Sequence, residues 1–278
     1  MEHNINIICI YSLSLLSSQR IMLFSTKYDI METLELIASS DVVGESSNIT
    51  VIDQKSDFPN GGQRHAVRQM PFIVSLEGNI GAGKSTIVEK LQQKYALPYE
   101  ESKKYFGRLA LEKIVFMPEP VDIWTSICDS ATGESILEKF YKDPKTYSFA
   151  FQVMVYNTHL EAFRKVVREN PDCVLLICER SIDAGRHIFA EMLRDDGMID
   201  DVSFQVYTRL VESTANEFPL DAIMHLNVTP EVCLERVGKR AREGEDGIPL
   251  EYLEKCDRYY RKWLFGKECE LDASVSTM

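Results

Sequence analysis

A chain of 278 residues is long enough for one large domain or two small ones around a substantial core. Hydrophobic residues make up 45% and charged residues 27%, which excludes fibrous, low-complexity and wholly disordered classes. Against 31 basic residues stand 43 acidic ones, a net charge of −12. That balance disfavours a surface given over to polynucleotide or anionic membrane, yet permits a phosphate ligand where positive charge is gathered locally. Cysteines at 9, 128, 173, 178, 233, 256 and 269 are odd in number and widely spaced, with no CxxC pair. They argue against a disulfide framework and a zinc site and point to a reducing compartment.

In chain order, Ile5–Ile10 and Leu13–Leu16 are apolar but broken by Tyr11 and Ser12. They fall well short of the ~20 residues of a membrane span, and no basic stretch precedes them as in a secretory signal. From His3 to Lys27 there is no acidic residue and one arginine, Arg20. A mitochondrial presequence is usually richer in arginine, so the cytoplasm is slightly favoured over the mitochondrion. Ser39 to Gln69 mixes Ser, Asn, Gly, Asp and Gln and reads as linker. Residues 1–70 are therefore expected to be a poorly ordered extension, with the folded domain over 71–278.

Phe72–Leu76 is a short apolar run, read as a buried strand, and Thr86–Tyr95 an amphipathic helix. Between them lies GNIGAGKS, Gly78 to Ser85, the strand, glycine loop and helix order of a phosphate-binding loop. Gly78, Gly81 and Gly83 let backbone N–H groups turn inward onto phosphate oxygens, with Asn79, Ile80, Ala82 and Thr86 completing the cradle. The helix N-terminus adds partial positive charge. Lys84 would bridge the β- and γ-phosphates and Ser85 would offer its hydroxyl to Mg²⁺. The acceptor stays open at this point: water, or a small hydroxyl compound.

Lys113–Met117 is a second apolar run, ending in PEPVDIW. Glu119, between two prolines, is held as a general base must be, although a surface carboxylate in a rigid turn fits equally well. A third run, Asp172–Cys178, holds two cysteines that read as core thiols and delivers Glu179 and Arg180. That carboxylate suits Mg²⁺ or its waters, and the guanidinium suits a transferring phosphate. A fourth run, Asp221–Val228, contains His225, read as a packed or edge histidine, and leads through a Thr229 cap and Pro230 into a helix bearing Arg236. Arg240 and Arg242 follow in a charged, Gly-containing loop that could close over a phosphoryl group or simply be a solvated turn. Tyr147–Arg168 reads as a long apolar helix with Phe151, Val155 and His159 on one face and Gln152 beside them. Phe151 would stack on a planar ring and Gln152 could pair with its edge.

The set EGNIGAGKST, PEPVDIW, FAFQ, ERS and CLERV through GIPLEYLEK resembles the deoxyribonucleoside kinases, those for deoxycytidine, deoxyguanosine and mitochondrial thymidine and the insect multisubstrate enzymes. The resemblance covers roughly residues 71 to 264. It implies an α/β P-loop kinase fold, a mostly parallel sheet with helices on both faces, and an arginine-bearing lid at about 239–248. It also implies ATP-dependent phosphorylation of a 5′-hydroxyl in nucleotide salvage, with ATP and Mg²⁺ as cofactors. A homodimer is implied, with neither polynucleotide nor membrane as partner. In residue terms it implies Glu119 as base, Arg180 supporting that carboxylate and the transition state, and Glu179 on the magnesium side. Lys84, Arg236, Arg240 and Arg242 would hold the donor phosphates, and Tyr141 with Glu245 would grip the 3′-hydroxyl. Trp124, Leu137, Phe151 and Phe189 would form the base cleft, with Gln152 pairing to the base.

Base preference follows from departures. Deoxycytidine- and deoxyguanosine-preferring members pair an arginine with an aspartate where this chain has His159 and Gly185, and Val155 is shared with thymidine-accepting members. Pyrimidines, thymidine and deoxycytidine, are thus expected. After Trp263 and Leu264 the chain runs out as FGKECELDASVSTM, so residues 265–278 form a shortened C-terminus in which the final strand is expected to be missing, leaving a sheet edge open. Two other readings are a nucleoside monophosphate kinase and a nucleotide-binding paralogue with little activity.

Overall fold

Short β-branched and aliphatic runs bounded by Gly, Pro and charge build the central sheet. The computed structural model describes residues 70–242, 245 and 247–266, with the two strands β1 (Ile8–Ile10) and β2 (Ser47–Asp53). The others are β3 (Phe72–Gly78), β4 (Lys113–Met117), β5 (Cys173–Glu179) and β6 (Ala222–Val228). Their order is β1-β2-β6-β3-β5-β4. β4, β5, β3 and β6 are all parallel, as strands joined by helical crossovers must be, and β2 joins β6 antiparallel. The result is an α/β fold with a mostly parallel sheet and helices on both faces.

Alternation along β3 divides the core. Val74 and Leu76 point to one side, packing with Ile87, Val88 and Leu91 of the helix Lys84–Tyr95 and with Cys233 and Leu253. Ile73 points to the other, with Leu176, Cys178 and Phe163 of the helix Pro144–Glu169. Cys173 and Cys178 are buried there, as expected of core thiols. The first helix starts two residues earlier than predicted, at Lys84, and the long helix is extended by Pro144 at its first turn and capped by Asp143, whose carboxylate accepts from the Thr146 N–H at 3.2 Å. Thr229 occupies the cap position of the helix Pro230–Arg240 without a side-chain bond. His225 lies inside β6, 3% exposed and tilted against Tyr260 at 5.2 Å, with burial first and then Arg261 pushing its pKa down to about 3.

The edge of the sheet differs from expectation. Ser47–Asp53, read as linker, is a strand paired over its whole length with β6, from Ser47 opposite Val228 to Asp53 opposite Ala222. Its centre, Ile49–Thr50–Val51–Ile52, is strongly β-prone, and the flanking Ser, Asn and Asp masked that signal. An open sheet edge was expected from the shortened C-terminus; the outer edge of β6 is instead occupied, from the N-terminal side of the chain. Ile8–Ile10, also within the predicted extension, forms β1, paired parallel with β2; apart from these strands and Met70 the predicted extension, and the shortened C-terminus beyond Gly266, lie outside the described residues. No described helix is long and apolar enough to cross a membrane.

Candidate active site

A cavity of about 550 Å³ opens at the C-terminal ends of β3, β4 and β5, where open α/β sheets bind ligands. Its floor is the glycine loop. Gly81 (φ 80°) and Gly83 (φ 100°) adopt left-handed backbone, and a Cβ on Gly81 would lie 2.4 Å from the carbonyl oxygen of Cys233. Ile80, Gly81, Ala82, Gly83, Lys84, Ser85 and Thr86 all line the cavity. Gly78 and Asn79, predicted with them, instead support the loop from behind. The Gly78 carbonyl accepts from Lys84 and Arg180, and the Asn79 amide donates to the Leu253 carbonyl at 2.8 Å while its oxygen accepts from the Ile80 N–H. Lys84 is 5% exposed and donates to the carbonyls of Gly78 (3.0 Å) and Asn79 (2.9 Å). Burial, then the charge of Arg180, pulls its pKa down to about 8.

Two prolines bring Glu119 to the mouth of β4, where Arg180 meets it at 2.9 Å, both side chains largely buried. Burial, the largest influence, favours the protonated acid, but Arg180, Lys84, His159 and Arg242 together outweigh it and lower the pKa. The result is an ionised acceptor aimed into the cavity. Arg180 is itself held at a positive φ of 64°, uncommon outside glycine, with Phe189 beneath its guanidinium at 4.9 Å and hydrogen bonds to the Gly78 carbonyl and the Tyr260 hydroxyl. Glu77 braces this turn: its carboxylate accepts from the Ser181 N–H (2.8 Å), the Ser181 hydroxyl (2.7 Å) and Tyr260 (3.2 Å). Sequence reasoning missed Glu77 and Tyr260. The one available signal was an acidic residue inside a buried strand.

Ser85 donates to Glu179 at 2.8 Å, which gathers two hard oxygens beside the loop. Arg236 lies across the loop, donating to the Ala82 carbonyl at 3.0 Å. Arg240 ends its helix, and after Ala241 (φ 47°) Arg242 follows; both clasp the carboxylate of Glu245, which is 5% exposed. Tyr141 lines the same region, its pKa raised by burial and then by Glu245, so the hydroxyl stays a donor.

The far end is apolar. Phe140 stacks on Phe151 at 4.5 Å and 8°, Trp124 meets Phe151 edge-on at 5.8 Å, and Trp124 Nε1 donates to Thr158 at 2.9 Å. Phe140 thus covers one face of Phe151, and its place was not foreseen because the short helix Ile136–Lys142 was unread. Leu137, Val155 and Phe189 complete the wall, with Gly185 opening a π turn (Gly185–Ala190). Gln152 and His159 are each 2% exposed, and Gln152 Oε1 and His159 Nε2 are buried with no hydrogen-bond partner. Apart from Gly78 and Asn79, every residue predicted for the site lines this one cavity.

Comparison with known proteins agrees with this geometry. The sequence model of the family described as deoxynucleoside kinase matches residues 74–276. The chain is 30% identical over 220 residues to deoxycytidine kinase 2 of Gallus gallus, covering 72% of this chain and 76% of that protein. It is 31% identical over 209 residues to the deoxycytidine kinase of Homo sapiens, covering 69% and 74%. It is 29% identical over 209 residues to the mitochondrial deoxyguanosine kinase of Xenopus laevis, covering 71% and 75%. With a family match across most of its length and a cavity that joins a glycine loop to a buried acidic–basic pair, the chain belongs to the deoxynucleoside kinases, phosphotransferases that use ATP to phosphorylate the 5′-hydroxyl of deoxyribonucleosides.

Proposed function

We propose that the chain is a P-loop kinase for pyrimidine deoxyribonucleosides, thymidine and deoxycytidine, in nucleotide salvage. The observation that carries the reading is the single cavity in which Lys84, Glu119 and Arg180 stand between a phosphate-sized glycine cradle and an apolar, aromatic-walled end. The cradle fits a nucleoside triphosphate, because its glycines adopt backbone that a side chain would block and Lys84 already satisfies two carbonyls where phosphate oxygens would compete for it. Ser85 and Glu179 fit Mg²⁺, a hard cation that keeps several waters and needs few protein oxygens. When bound it would neutralise charge on the β- and γ-phosphates.

The nucleoside lies with its base against Trp124, Leu137, Phe151 and Phe189 and its edge toward Gln152. Glu119, ionised and braced by Arg180, accepts the hydrogen of the 5′-hydroxyl and orients that oxygen for in-line attack. Its low pKa suits orientation more than full proton abstraction, which a loose transition state does not demand early. Lys84, Arg180 and Arg236 face the charge that spreads over the transferring group. Arg240 and Arg242 form the arginine-bearing lid. The carboxylate of Glu245 holds both, and a 3′-hydroxyl gripped with Tyr141 would compete for it, freeing the arginines for phosphate.

A homodimer in the cytoplasm or mitochondrion completes the proposal. The helix Asp201–Glu212, packed beside the long helix, leaves Val202, Val206 and Leu210 exposed on one stripe, as a self-association surface would. Glu119→Gln is expected to lower kcat by at least a hundredfold while ATP binding, followed by fluorescent-nucleotide titration, changes less than threefold. A near-full rate in that variant would remove Glu119 from its role. Transfer to thymidine monophosphate instead of thymidine would favour the monophosphate kinase reading.

A further inference from the structure

Two unpartnered polar atoms, Gln152 Oε1 and His159 Nε2, lie at the apolar end of the cavity, on residues two turns apart along one face of the helix Pro144–Glu169. A buried acceptor without a donor is costly, and a ligand that brings the donor recovers that cost. The two side chains differ in freedom. A glutamine amide shows either polarity by turning over. The imidazole is tied: His159 Nδ1 lies 3.0 Å from the Val155 carbonyl oxygen. A carbonyl oxygen only accepts, so Nδ1 carries the proton and Nε2 of the neutral ring is an acceptor. Burial favours that neutral ring, lowering the pKa against the opposing pull of Glu119.

We infer that His159 is a specificity-determining residue whose Nε2 accepts a hydrogen bond from an exocyclic amino group of the base, so that the site favours cytosine over pyrimidines that carry a carbonyl oxygen at that position. The inference rests on the nucleoside kinase reading of this cavity and ranks the substrates within it. Uracil and thymine place an acceptor where cytosine places two N–H donors, and two acceptors meeting at a dry wall repel. Gln152 adapts to either edge. His159 does not, because moving its proton to Nε2 would set the Nδ1 lone pair against the Val155 carbonyl oxygen, and turning the ring would leave the imidazole N–H unpaired. The neighbouring Trp124, 5.9 Å from the imidazole and pinned by Thr158, leaves it little room to move.

The test compares substrates that differ in the exocyclic group and the hydrogen on the adjacent ring nitrogen, which the adaptable Gln152 amide can follow: deoxycytidine with deoxyuridine, and 5-methyldeoxycytidine with thymidine. In each pair the methyl contact cancels. With the full-length protein and ATP–Mg²⁺, the amino member is expected to have at least tenfold higher kcat/KM in both pairs. In His159→Leu both ratios should fall to within about threefold of unity, through loss on the amino substrates, with the KM for ATP unmoved. Parity or a carbonyl preference in the wild-type protein overturns the inference without need of any variant. A wild-type amino preference that His159→Leu leaves intact overturns it as well, by placing the discrimination elsewhere. If ATP binds but none of the four is phosphorylated, the nucleoside kinase reading falls and this inference with it.

Discussion

Lys84 shows how one residue can pull stability and ligand binding in opposite directions. Its ammonium sits in a dry site beside Arg180, and its pKa drops from 10.5 to about 8. Between those values the unfolded chain binds a proton that the fold does not, so the folded state gains relative stability as pH rises through that window. Below about pH 8 the buried charge costs the fold its full penalty. Phosphate binding runs the other way, because it needs the charge. The KM for ATP is therefore expected to rise above pH 8, approaching tenfold per pH unit, while the thermal midpoint does not fall in step; a KM flat from pH 7 to 9.5 would show that Lys84 does not supply the charge. At this scale the sequence was legible where chemistry is local. The glycine loop and the ERS and PEP strand ends carry their roles in adjacent letters, whereas the Glu77–Tyr260 bond joins residues 183 apart and leaves no short pattern. Asn79 looked like part of the cradle for the same reason in reverse: its partner, Leu253, lies on the last described helix.

Elements were read well wherever apolar runs ended in Gly, Pro or charge, which covers β3 to β6 and the long helix. Short pieces with few apolar positions, such as the helices Val121–Ser126 and Ile136–Lys142, were not visible as separate units. The helix Asp201–Glu212 carries a different message on its outer face. Val202, Val206 and Leu210 recur every fourth residue and remain exposed, although the inner face already buries Tyr207 and Val211. A helix with two apolar faces has two partners, and the second is proposed to be another copy of the chain. Val206→Lys is expected to shift sedimentation from dimer toward monomer with the thermal midpoint of the isolated chain nearly unchanged. An unaltered dimer would place the interface on another surface.

For the whole molecule, the sheet is closed on its β6 side by a strand from upstream of the glycine loop, a feature that composition concealed because Ser, Asn and Asp surround its β-prone centre. Seven residue pairs in register along β6 cover backbone groups that would otherwise offer a template to other chains. A chain starting at residue 60 is expected to lose about 4 °C or more in thermal midpoint and to aggregate sooner on heating, measured against the full-length protein. Equal midpoints and equal light scattering would show that the pairing contributes nothing. Glu119 follows β4 at the opposite edge of the sheet, whereas Gly78 at the start of the glycine loop is in register with Leu226, itself paired with Ile49, so loss of the strand is expected to weaken ATP binding before it disturbs Glu119.

The arrangement also has a consequence in time. β2 ends at residue 53 and its partner β6 begins at residue 222, so synthesis makes the covering strand about 170 residues before there is anything for it to cover. At typical elongation rates of about 5–20 residues per second, that is on the order of ten to thirty seconds during which a β-prone segment waits without β6, its only earlier-made neighbour among the described strands being the short β1. Its flanking polar and acidic residues, Ser46, Ser47, Asn48, Asp53 and Asp57, are the kind that keep such a segment soluble while it waits. The letters that disguised the strand as a linker are thus the ones suited to a strand whose docking comes last.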